Sequence, residues 1–596
     1  MNTKKIHFIG IGGVGMAGLA LLLKSEGHEV SGCDLSETAR TKWLEREGVQ
    51  VTVGHDPSHV ATADEVIVTP AVREDNAECR AARLIRFRGE VLAEIANARE
   101  TIAVCGSHGK TTTATWIAKL LRALGEDVAW CIGGETGDFP VAHAGKGPLV
   151  VEADESDGTL ALYHAKTLVV NNLEYDHPDH FKTEADYFAC FDTAKANAGE
   201  VIESEGLEGL GGLEGLPPHN QKNARAAIEV ALRRGYSRAA IEKVLPEIIA
   251  RLPDRRFEPI AKNVYIDYAH HPTEMACAVQ MARSVSSGIL RVLFQPHRPS
   301  RTKALLRNFP AAFALADEII LVPTYMAFEP AIEGGDVADL YAACRGKVAA
   351  KLYLAQSCEE AWTHARRSMK ENDVTLVLGA GDIVNRLREL PPRKVWIGAG
   401  SNTWKSDLNL GVEYVRTSGR ANDPGSSLGI PWMVGVPGTV GGWIKMNAGA
   451  FGHSISEVLE AVKIDGAWIP SDQCGFGYRR SEISGEIQDF KLKSSLTVDA
   501  VNADAYLERR RKFPAGTYGS FFKNPPNDFA GRLLEAVGAK GLSVGGASVW
   551  QEHANVIVRG EGATASDVLA LARLMKNRVL FRFGLALEPE VCGLKL

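Results

Sequence analysis

Three groups of residues in this chain have the types and spacing to do chemistry. The first is Gly10, Gly12, Gly13 and Gly15, a GxGxxG turn directly after a β-branched run, with Asp34 nineteen residues past the last glycine. Such glycines let backbone approach a pyrophosphate at a helix N-terminus, while the acid reaches a ribose hydroxyl. The pattern reads as NAD when taken alone, and a UDP-sugar satisfies it equally. Tight-turn glycines with no ligand are the bland alternative. The second is the loop Gly106, Ser107, His108, Gly109, Lys110, Thr111, Thr112, shorter than GxxxxGK[ST] because position 104 is valine. Amides at the following helix start cradle phosphates, Lys110 meets the β/γ oxygens, and Thr111 ligates Mg²⁺. Downstream, Glu152, Asp154, Glu155 and Asp157 crowd four carboxylates into six residues. They repel one another unless a cation sits among them; a solvated acidic loop is the other reading. His177, after a further apolar run, offers a neutral imidazole to a metal.

The third group lies near the C-terminus. Gly398, Gly400, Ser401 and Asn402 form one glycine-rich loop, and Gly438, Thr439, Gly441 and Gly442 another. Amide-rich loops of this kind bind pyrophosphate, though turn chemistry in a β-rich domain produces them too.

These groups need elements to hold them. At 596 residues, roughly 100–200 per domain predicts three to five domains. Apolar residues at 45% and charged residues at 23% exclude wholesale disorder. Short β-branched runs alternate with helical stretches up to about residue 390, the rhythm of parallel sheets. The expected strands include Lys5–Ile9, Glu65–Thr69, Thr101–Cys105, Leu168–Asn171, Ile319–Val322, Thr375–Leu378 and Lys394–Ile397, with helices over Met16–Ser25 and from Ala114 onward. Beyond 390 the texture is α+β, and Pro391-Pro392 reads as a hinge. Gly206–Leu216, GLEGLGGLEGL, reads as a flexible insert and not as an element. It falls in the short interval of 42 positions between His177 and His219.

Net charge is −6, made of −10 over the first 390 residues and +4 beyond. Neither part carries the basic footprint of a nucleic-acid binder. No apolar run approaches the roughly 18 residues of a membrane span, and the N-terminus reads as a strand start and not a signal peptide. Ten cysteines without a CxxC pair argue against zinc ribbons and disulfide frameworks, so a cytoplasmic protein is expected.

Eight motifs then occur in order: GIGGVGM, GSHGKTTT, EADESD, LEYDH, HNQKNA, DRRFE, DYAHHPTE and FQPHRPSR. Over residues 1–388 they resemble the Mur ligases, in particular the branch that adds L-alanine. The resemblance implies an α/β multidomain protein: a Rossmann-like UDP-binding domain (1–98), a P-loop ATPase central domain (99–250) and a Rossmann-like amino-acid domain (251–390). It implies ATP at Gly106–Thr112, with Asn220 and Asp267 at the nucleoside and Arg256 at the γ-phosphate. Gly10, Gly12, Gly13, Gly15 and Asp34 would hold the UDP moiety. Thr111, Glu152 and His177 would hold Mg²⁺. Tyr268, His270, Arg298 and Arg301 would receive alanine, the arginines gripping its carboxylate as a fork, with Lys110 and His270 among the catalytic residues. The substrates implied are UDP-N-acetylmuramate, L-alanine and ATP.

From about 394 to 592, the two glycine loops together with Tyr478-Arg479-Arg480-Ser481, GSFFKNP, Gly545-Gly546-Ala547, His553-Ala554-Asn555 and LEPE resemble UDP-N-acetylenolpyruvoylglucosamine reductases, flavoproteins that use FAD and NADPH. That implies a shortened α+β FAD-binding region (391–508) and a substrate-binding domain (509–596). Gly398, Gly400, Ser401, Asn402, Gly438, Thr439, Gly441 and Gly442 would hold FAD, Arg479 and Glu590 would stabilise an enolate, and Ser520 would donate a proton. A serine acts as an acid only in a dry, preorganised site. The joint expectation is a bifunctional enzyme of peptidoglycan precursor synthesis. The alternatives are a ligase carrying a non-catalytic reductase-like module, and an NAD-dependent dehydrogenase built on the first fingerprint.

Overall fold

Runs of buried aliphatic residues, each four to six long, build the sheets that carry the motifs. The computed structural model describes residues 3–596 apart from 70–71, 73–74, 135–138, 178–179, 208–211, 328, 398–404, 417–429, 434–435, 437, 494–504, 506–507 and 509–510. The chain divides into two compact units, Met1–Ala269 and His270–Leu596. It is a multidomain α/β protein with several Rossmann-like sheets and smaller β-rich parts toward the C-terminus.

In the first unit, strands β1 (Lys5–Ile9), β2 (Glu29–Asp34), β3 (Gln50–Val53), β4 (Glu65–Val68) and β5 (Ile85–Phe87) make a parallel sheet in the order β3-β2-β1-β4-β5. Chain order reverses beside β1, the switch point at which such sheets open a binding crevice. The helix Val14–Ser25 starts two residues before the expected Met16, because Gly13 caps it directly after the glycine turn. A second sheet contains β6 (Thr101–Cys105), β7 (Ala129–Cys131), β8 (Ala142–His143), β9 (Leu149–Glu152), β10 (Thr167–Val170) and β11 (Glu200–Glu203), in the order β11-β10-β6-β9-β7-β8. Only the β7–β8 pair is antiparallel. β6 is buried along its whole length, as a central parallel strand must be. A hairpin of β12 (Glu258–Ala261) and β13 (Val264–Asp267) completes the unit.

The insert at Gly206–Leu216 forms no helix or strand among its described residues. It is nonetheless anchored: Leu213 is buried in the core under the helices Lys110–Ala123 and Pro218–Arg233, with Leu207 and Leu216 packed against it. Leu207, Leu213 and Leu216 have apolar surface to bury whatever their periodicity, so the described parts of the insert are tied to this core.

In the second unit, β14 (Leu290–Phe294), β15 (Glu318–Leu321), β16 (Lys351–Leu354) and β17 (Val374–Leu378) are parallel in the order β17-β14-β15-β16. The later strands are mostly antiparallel: Ala467–Pro470, Leu459–Ile464 and Ile487–Leu492 side by side, and Thr517–Ser520 leading a four-stranded sheet. The helix Ala565–Phe583 packs on Val337–Cys344. Buried Asp567 there receives Arg345 Nε at 2.7 Å and the Tyr341 hydroxyl at 2.9 Å, while Arg573 pairs with Asp336 at 3.1 Å. The compact unit therefore runs straight through Pro391-Pro392. No helix of the described residues is long and apolar enough to cross a membrane.

One carboxyl in this unit makes stability depend on pH. Burial, reinforced by the charges of Asp336 and Glu333, raises Asp339 from 3.8 to about 6. Below about pH 4 both folded and unfolded states carry the proton; as pH rises toward 6 the unfolded chain ionises first and stability falls. Asp339→Asn keeps the oxygen that accepts the Asp336 amide and should remove that fall. Melting midpoints recorded from about pH 4 to 7 test it; identical curves for the two proteins would exclude the assignment.

Candidate functional site

The glycine turn is braced by its own acid. Gly10 sits at φ +78°, and Asp34, the last residue of β2, accepts the Gly12 amide at 2.9 Å. A Cβ on Gly12 would come within 2.9 Å of that carboxylate, and one on Gly15 within 2.8 Å of the Arg88 guanidinium. Only glycine leaves room for backbone at these two points.

The phosphate loop leaves β6 through Gly106 (φ +124°) and enters its helix through Gly109 (φ +81°), the N-cap of Lys110–Ala123. This helix begins four residues earlier than expected. Thr111, Thr112 and Thr113 have poor helix propensity, but their burial overrides it. Lys110 and Thr111 thereby occupy the first turn, where backbone amides lack intrahelical acceptors. Lys110 Nζ donates to both carboxylate oxygens of Glu155, at 2.8 and 3.0 Å, and to the Gly106 carbonyl at 2.9 Å. Glu155 is wholly buried. Burial works against the Lys110 charge, yet Glu155 and Asp154 raise its pKa well above the ordinary lysine value. Ser107 Oγ donates to the Glu174 carbonyl at 2.6 Å, and His108 Nε2 lies 3.0 Å from the Glu174 carboxylate. Asn220 is buried on the helix Pro218–Arg233 and accepts from Asn223 at 3.1 Å.

The expected metal ligands fall into two neighbouring groups. Thr111 Oγ1 donates to Glu152 at 3.1 Å, and the Gly133 amide donates to the same carboxylate at 2.6 Å. Burial pushes the Glu152 carboxyl up while the Gly133 amide, Lys110 and Thr111 pull it back. His177 stands instead with Asp154 and Glu155, the donor atoms of all three within 4.8 Å of one another. Its backbone is left-handed (φ +58°), and its buried Nδ1 has no hydrogen-bond partner. Burial opposes ionisation of Asp154, but Lys110, His177 and Arg88 hold its pKa down to about 2. Asp154, Glu155 and Arg88 were not among the expected site residues. The crowding of four carboxylates was the signal for the two acids; nothing local marked Arg88.

A cavity of about 310 Å³ joins the two sheets of this unit, lined by Gly13, Gly15, Arg88, Gly133, Glu152 and Asp154 among others. The glycine turn and the carboxylates of Glu152 and Asp154 thus share one space. At the unit's end, Asp267 accepts the Phe257 and Ala269 amides at 2.8 and 2.7 Å, and the guanidinium groups of Arg255 and Arg256 each lie 4.9 Å from the Tyr268 ring.

In the second unit, Arg298 caps the short helix Pro299–Ala304 in a left-handed conformation (φ +65°), and Arg301 on that helix is buried. The His270 ring lies 5.4 Å from that of His297. Further along, Arg479 Nε and Glu590 Oε1 meet at 2.9 Å, the arginine also donating to the Gly449 carbonyl at 2.9 Å. Ser520 is exposed at the end of its strand. Thr439 Oγ1 caps the helix Val440–Lys445, which contains Gly441 and Gly442, and Gly438 takes φ +130°. Gly398, Gly400, Ser401 and Asn402 lie outside the described residues.

A switch-point sheet and a phosphate-loop sheet facing one cavity define a multidomain nucleotide-binding α/β enzyme. Comparison with known proteins places it further. Residues 5–100 match the family model "Mur ligase family, catalytic domain", and 255–381 match "Mur ligase, glutamate ligase domain". Residues 511–594 match "UDP-N-acetylenolpyruvoylglucosamine reductase, C-terminal domain". UDP-N-acetylmuramate–L-alanine ligases of Kineococcus radiotolerans and Aquifex aeolicus are 34% and 35% identical over 445 residues, which is 64% of this chain and 94% and 96% of theirs. The crystal structure of the Thermotoga maritima UDP-N-acetylmuramate–alanine ligase is 28% identical, covering 64% of this chain and 97% of that one with a TM-score of 0.54. The chain belongs to the Mur ligase family, in the UDP-N-acetylmuramate–L-alanine ligase branch, and carries a reductase-type C-terminal domain.

The Lys110–Glu155 pair yields a direct test. In Glu155→Gln a mostly covered ammonium loses its nearest counter-charge, a destabilising change that Asp154 offsets only in part. Phosphate oxygens would replace that counter-charge. The variant should melt earlier than the parent without nucleotide and gain more from ATP added with a chelator in place of Mg²⁺, where Lys110 and not the cation meets the phosphates; equal gains in the two proteins would separate Glu155 from the nucleotide site.

Proposed function

We propose that residues 1–390 ligate L-alanine to UDP-N-acetylmuramate at the expense of ATP. The observation that carries this reading is the shared cavity, in which the pyrophosphate-type glycine turn and the phosphate-loop carboxylates line one space. The sugar nucleotide lies with its diphosphate at Gly12–Gly15 and Arg88, pointing its lactyl carboxylate toward the phosphate loop. The triphosphate lies on the amides after Gly109, with Lys110 moving from Glu155 to the β/γ oxygens. Thr111, Glu152, Asp154, Glu155 and His177 are hard oxygen donors plus one imidazole, whose Nε2 stands 3.6 Å from the Glu155 carboxylate, a set that fits a cation. Mg²⁺ bound there supplies charge neutralisation for phosphoryl transfer.

The lactyl carboxylate attacks the γ-phosphorus, the bond to the β,γ-bridging oxygen breaks, and an acyl phosphate forms with release of ADP. Alanine's neutral amine then adds to the acyl carbon, and the tetrahedral intermediate expels phosphate as the amine gives up its proton. In the second unit, Arg298 and Arg301 are assigned to the alanine carboxylate and His270 to the same substrate; in the first, Tyr268 is assigned to alanine and Arg256 to the γ-phosphate. Asn220 and Asp267 belong to the nucleoside end.

A second activity rests on the meeting of Arg479 and Glu590 at 2.9 Å from positions far apart in sequence. We infer that the C-terminal third reduces UDP-N-acetylenolpyruvoylglucosamine to UDP-N-acetylmuramate, the substrate of the ligase reaction. FAD, with NADPH as reductant, would supply the hydride when bound against Gly438–Gly442. The Arg479 cation stabilises the enolate that develops on the substrate carboxylate, a contribution of about 10²–10³ in rate for such groups. Burial pushes the Glu590 carboxyl up, and Arg479 draws it back toward the ionised form. Ser520 gives its proton to the adjacent carbon once bound ligands cover its exposed hydroxyl.

Two measurements test these readings. Protein given ATP, Mg²⁺, UDP-N-acetylmuramate and L-alanine should release inorganic phosphate only when all four are present. Arg298→Ala should raise the KM for alanine at least tenfold, about 1.4 kcal/mol, without changing that for ATP. No phosphate release by the parent protein would sink the ligase reading. For the reductase reading, FAD titrated into the protein should bind and be bleached by NADPH, and Ser520→Ala should keep the bleaching while slowing reoxidation by the enol ether. Failure of the parent to retain flavin would leave the C-terminal third a non-catalytic module.

A further inference from the structure

A second cluster of polar side chains is buried in the first sheet, and none of its members lines the cavity. His7 stands on β1 and Cys33 near the end of β2. His59 lies in the single turn Pro57–Val60, and Glu78 in the short helix Ala77–Ala81. The donor atoms of these four residues all lie within 4.8 Å of one another. Glu78 is wholly buried and takes His55 Nδ1 and His59 Nδ1 at 2.7 Å each, with the Cys33 thiol donating to it at 3.1 Å. His7 is 1% exposed; its Nδ1 meets Ser31 Oγ at 2.9 Å, and its Nε2 has no hydrogen-bond partner. Leaving a buried polar atom unmet costs about 1–3 kcal/mol; Glu78 satisfies His55, His59 and the Cys33 thiol, and His7 Nε2 is the atom of this group left without a partner.

We propose that His7, Cys33, His59 and Glu78 form a binding site for one borderline-soft divalent transition ion of the Zn²⁺ type, with His55 held beside it by Glu78. One sulfur, two imidazoles and a carboxylate are the donor set of zinc, and not the all-oxygen set of magnesium or calcium. Bonds of about 2.0–2.1 Å to nitrogen or oxygen and 2.3 Å to sulfur place tetrahedral donors roughly 3.3–3.6 Å apart. The Cys33–Glu78 and His59–Glu78 separations of 3.1 and 2.7 Å reach that spacing by moving outward by less than an ångström. Apolar side chains of Ile9, Val60, Ala63, Val66 and Val68 cluster with Cys33 and cover its inner side, while His59 keeps an edge toward solvent. Coordination converts the thiol to a thiolate and releases its proton to solvent. The site underpins the glycine turn, because the Cys33 carbonyl accepts the Gly10 and Ile11 amides at 2.8 and 3.0 Å and the next residue, Asp34, holds Gly12.

The full chain, stripped with a chelator and titrated with Co²⁺ without nucleotide, should develop thiolate-to-cobalt charge-transfer absorption that saturates at one ion per chain. Zn²⁺ should abolish it. Cys131 lines the cavity beside Glu152 and Asp154, so the band is assigned to this cluster by its response to Cys33. Cys33→Ser should lose the absorption while keeping the parent's circular dichroism, and Zn²⁺ should raise the melting temperature of the parent alone. If Cys33→Ser does not fold, Glu78→Gln decides by the same titration. A folded parent that shows no thiolate band overturns the proposal, as does a band that persists in the folded variant.

Discussion

A buried ammonium must always have a negative partner, and the first unit is arranged around that requirement. Lys110 enters its helix behind Gly109 with its side chain mostly covered, and both oxygens of the wholly buried Glu155 meet it. The strand β9 and the turn after it exist to deliver carboxylates to this point: Glu152 at the strand end, Asp154 and Glu155 just beyond. Their mutual repulsion is tolerable because Lys110, His177 and Arg88 supply opposing charge, which is why Asp154 stays ionised even when buried. A triphosphate arriving with its cation brings the same charges in another arrangement. The site exchanges one set of ion pairs for another and leaves no ammonium exposed to an apolar interior.

Much of this was legible in the residues themselves. β1 and β6 run over the expected Lys5–Ile9 and Thr101–Cys105, since short β-branched runs bounded by glycine have few other uses in an α/β chain. The helix after the phosphate loop began early because propensity is local, while the burial that overrides it in Thr111–Thr113 is tertiary. The same limit applies to the leucines of Gly206–Leu216, whose glycines advertise freedom while Leu213 sits in a core. Arg88 was invisible for a different reason. It reaches the cavity from a helix that carries no motif, and its closeness to Gly15 depends on the helix Arg88–Asn97 packing against Val14–Ser25.

The second unit shows how a joined chain differs from two proteins on a string. Asp567, from the reductase-type domain, is wholly buried and takes Arg345 and Tyr341 from the ligase part. Arg573 takes Asp336 in the same interface. A carboxylate that deep is costly when its partners are removed, so neither part presents this surface to water without penalty. The Pro391-Pro392 pair looked like a hinge because sequence reports local stiffness and composition. It does not report that a helix nearly two hundred residues later will pack back across it.

That packing bears on what the C-terminal third is for. A module kept only to cover Val337–Cys344 would need the helix Ala565–Phe583 and its buried aspartate, and nothing more. Arg479 and Glu590 do no such work: they meet each other, partly buried, with Arg479 in a strained left-handed backbone and fixed to the Gly449 carbonyl. A positive φ at a non-glycine residue costs of order 1–3 kcal/mol and persists where surrounding structure enforces it. The enforcement here is local: Gly477 and Arg480 exchange backbone hydrogen bonds at 3.0 and 3.2 Å across Tyr478 and Arg479, and the tight turn so formed fixes the backbone from which Arg479 reaches Glu590.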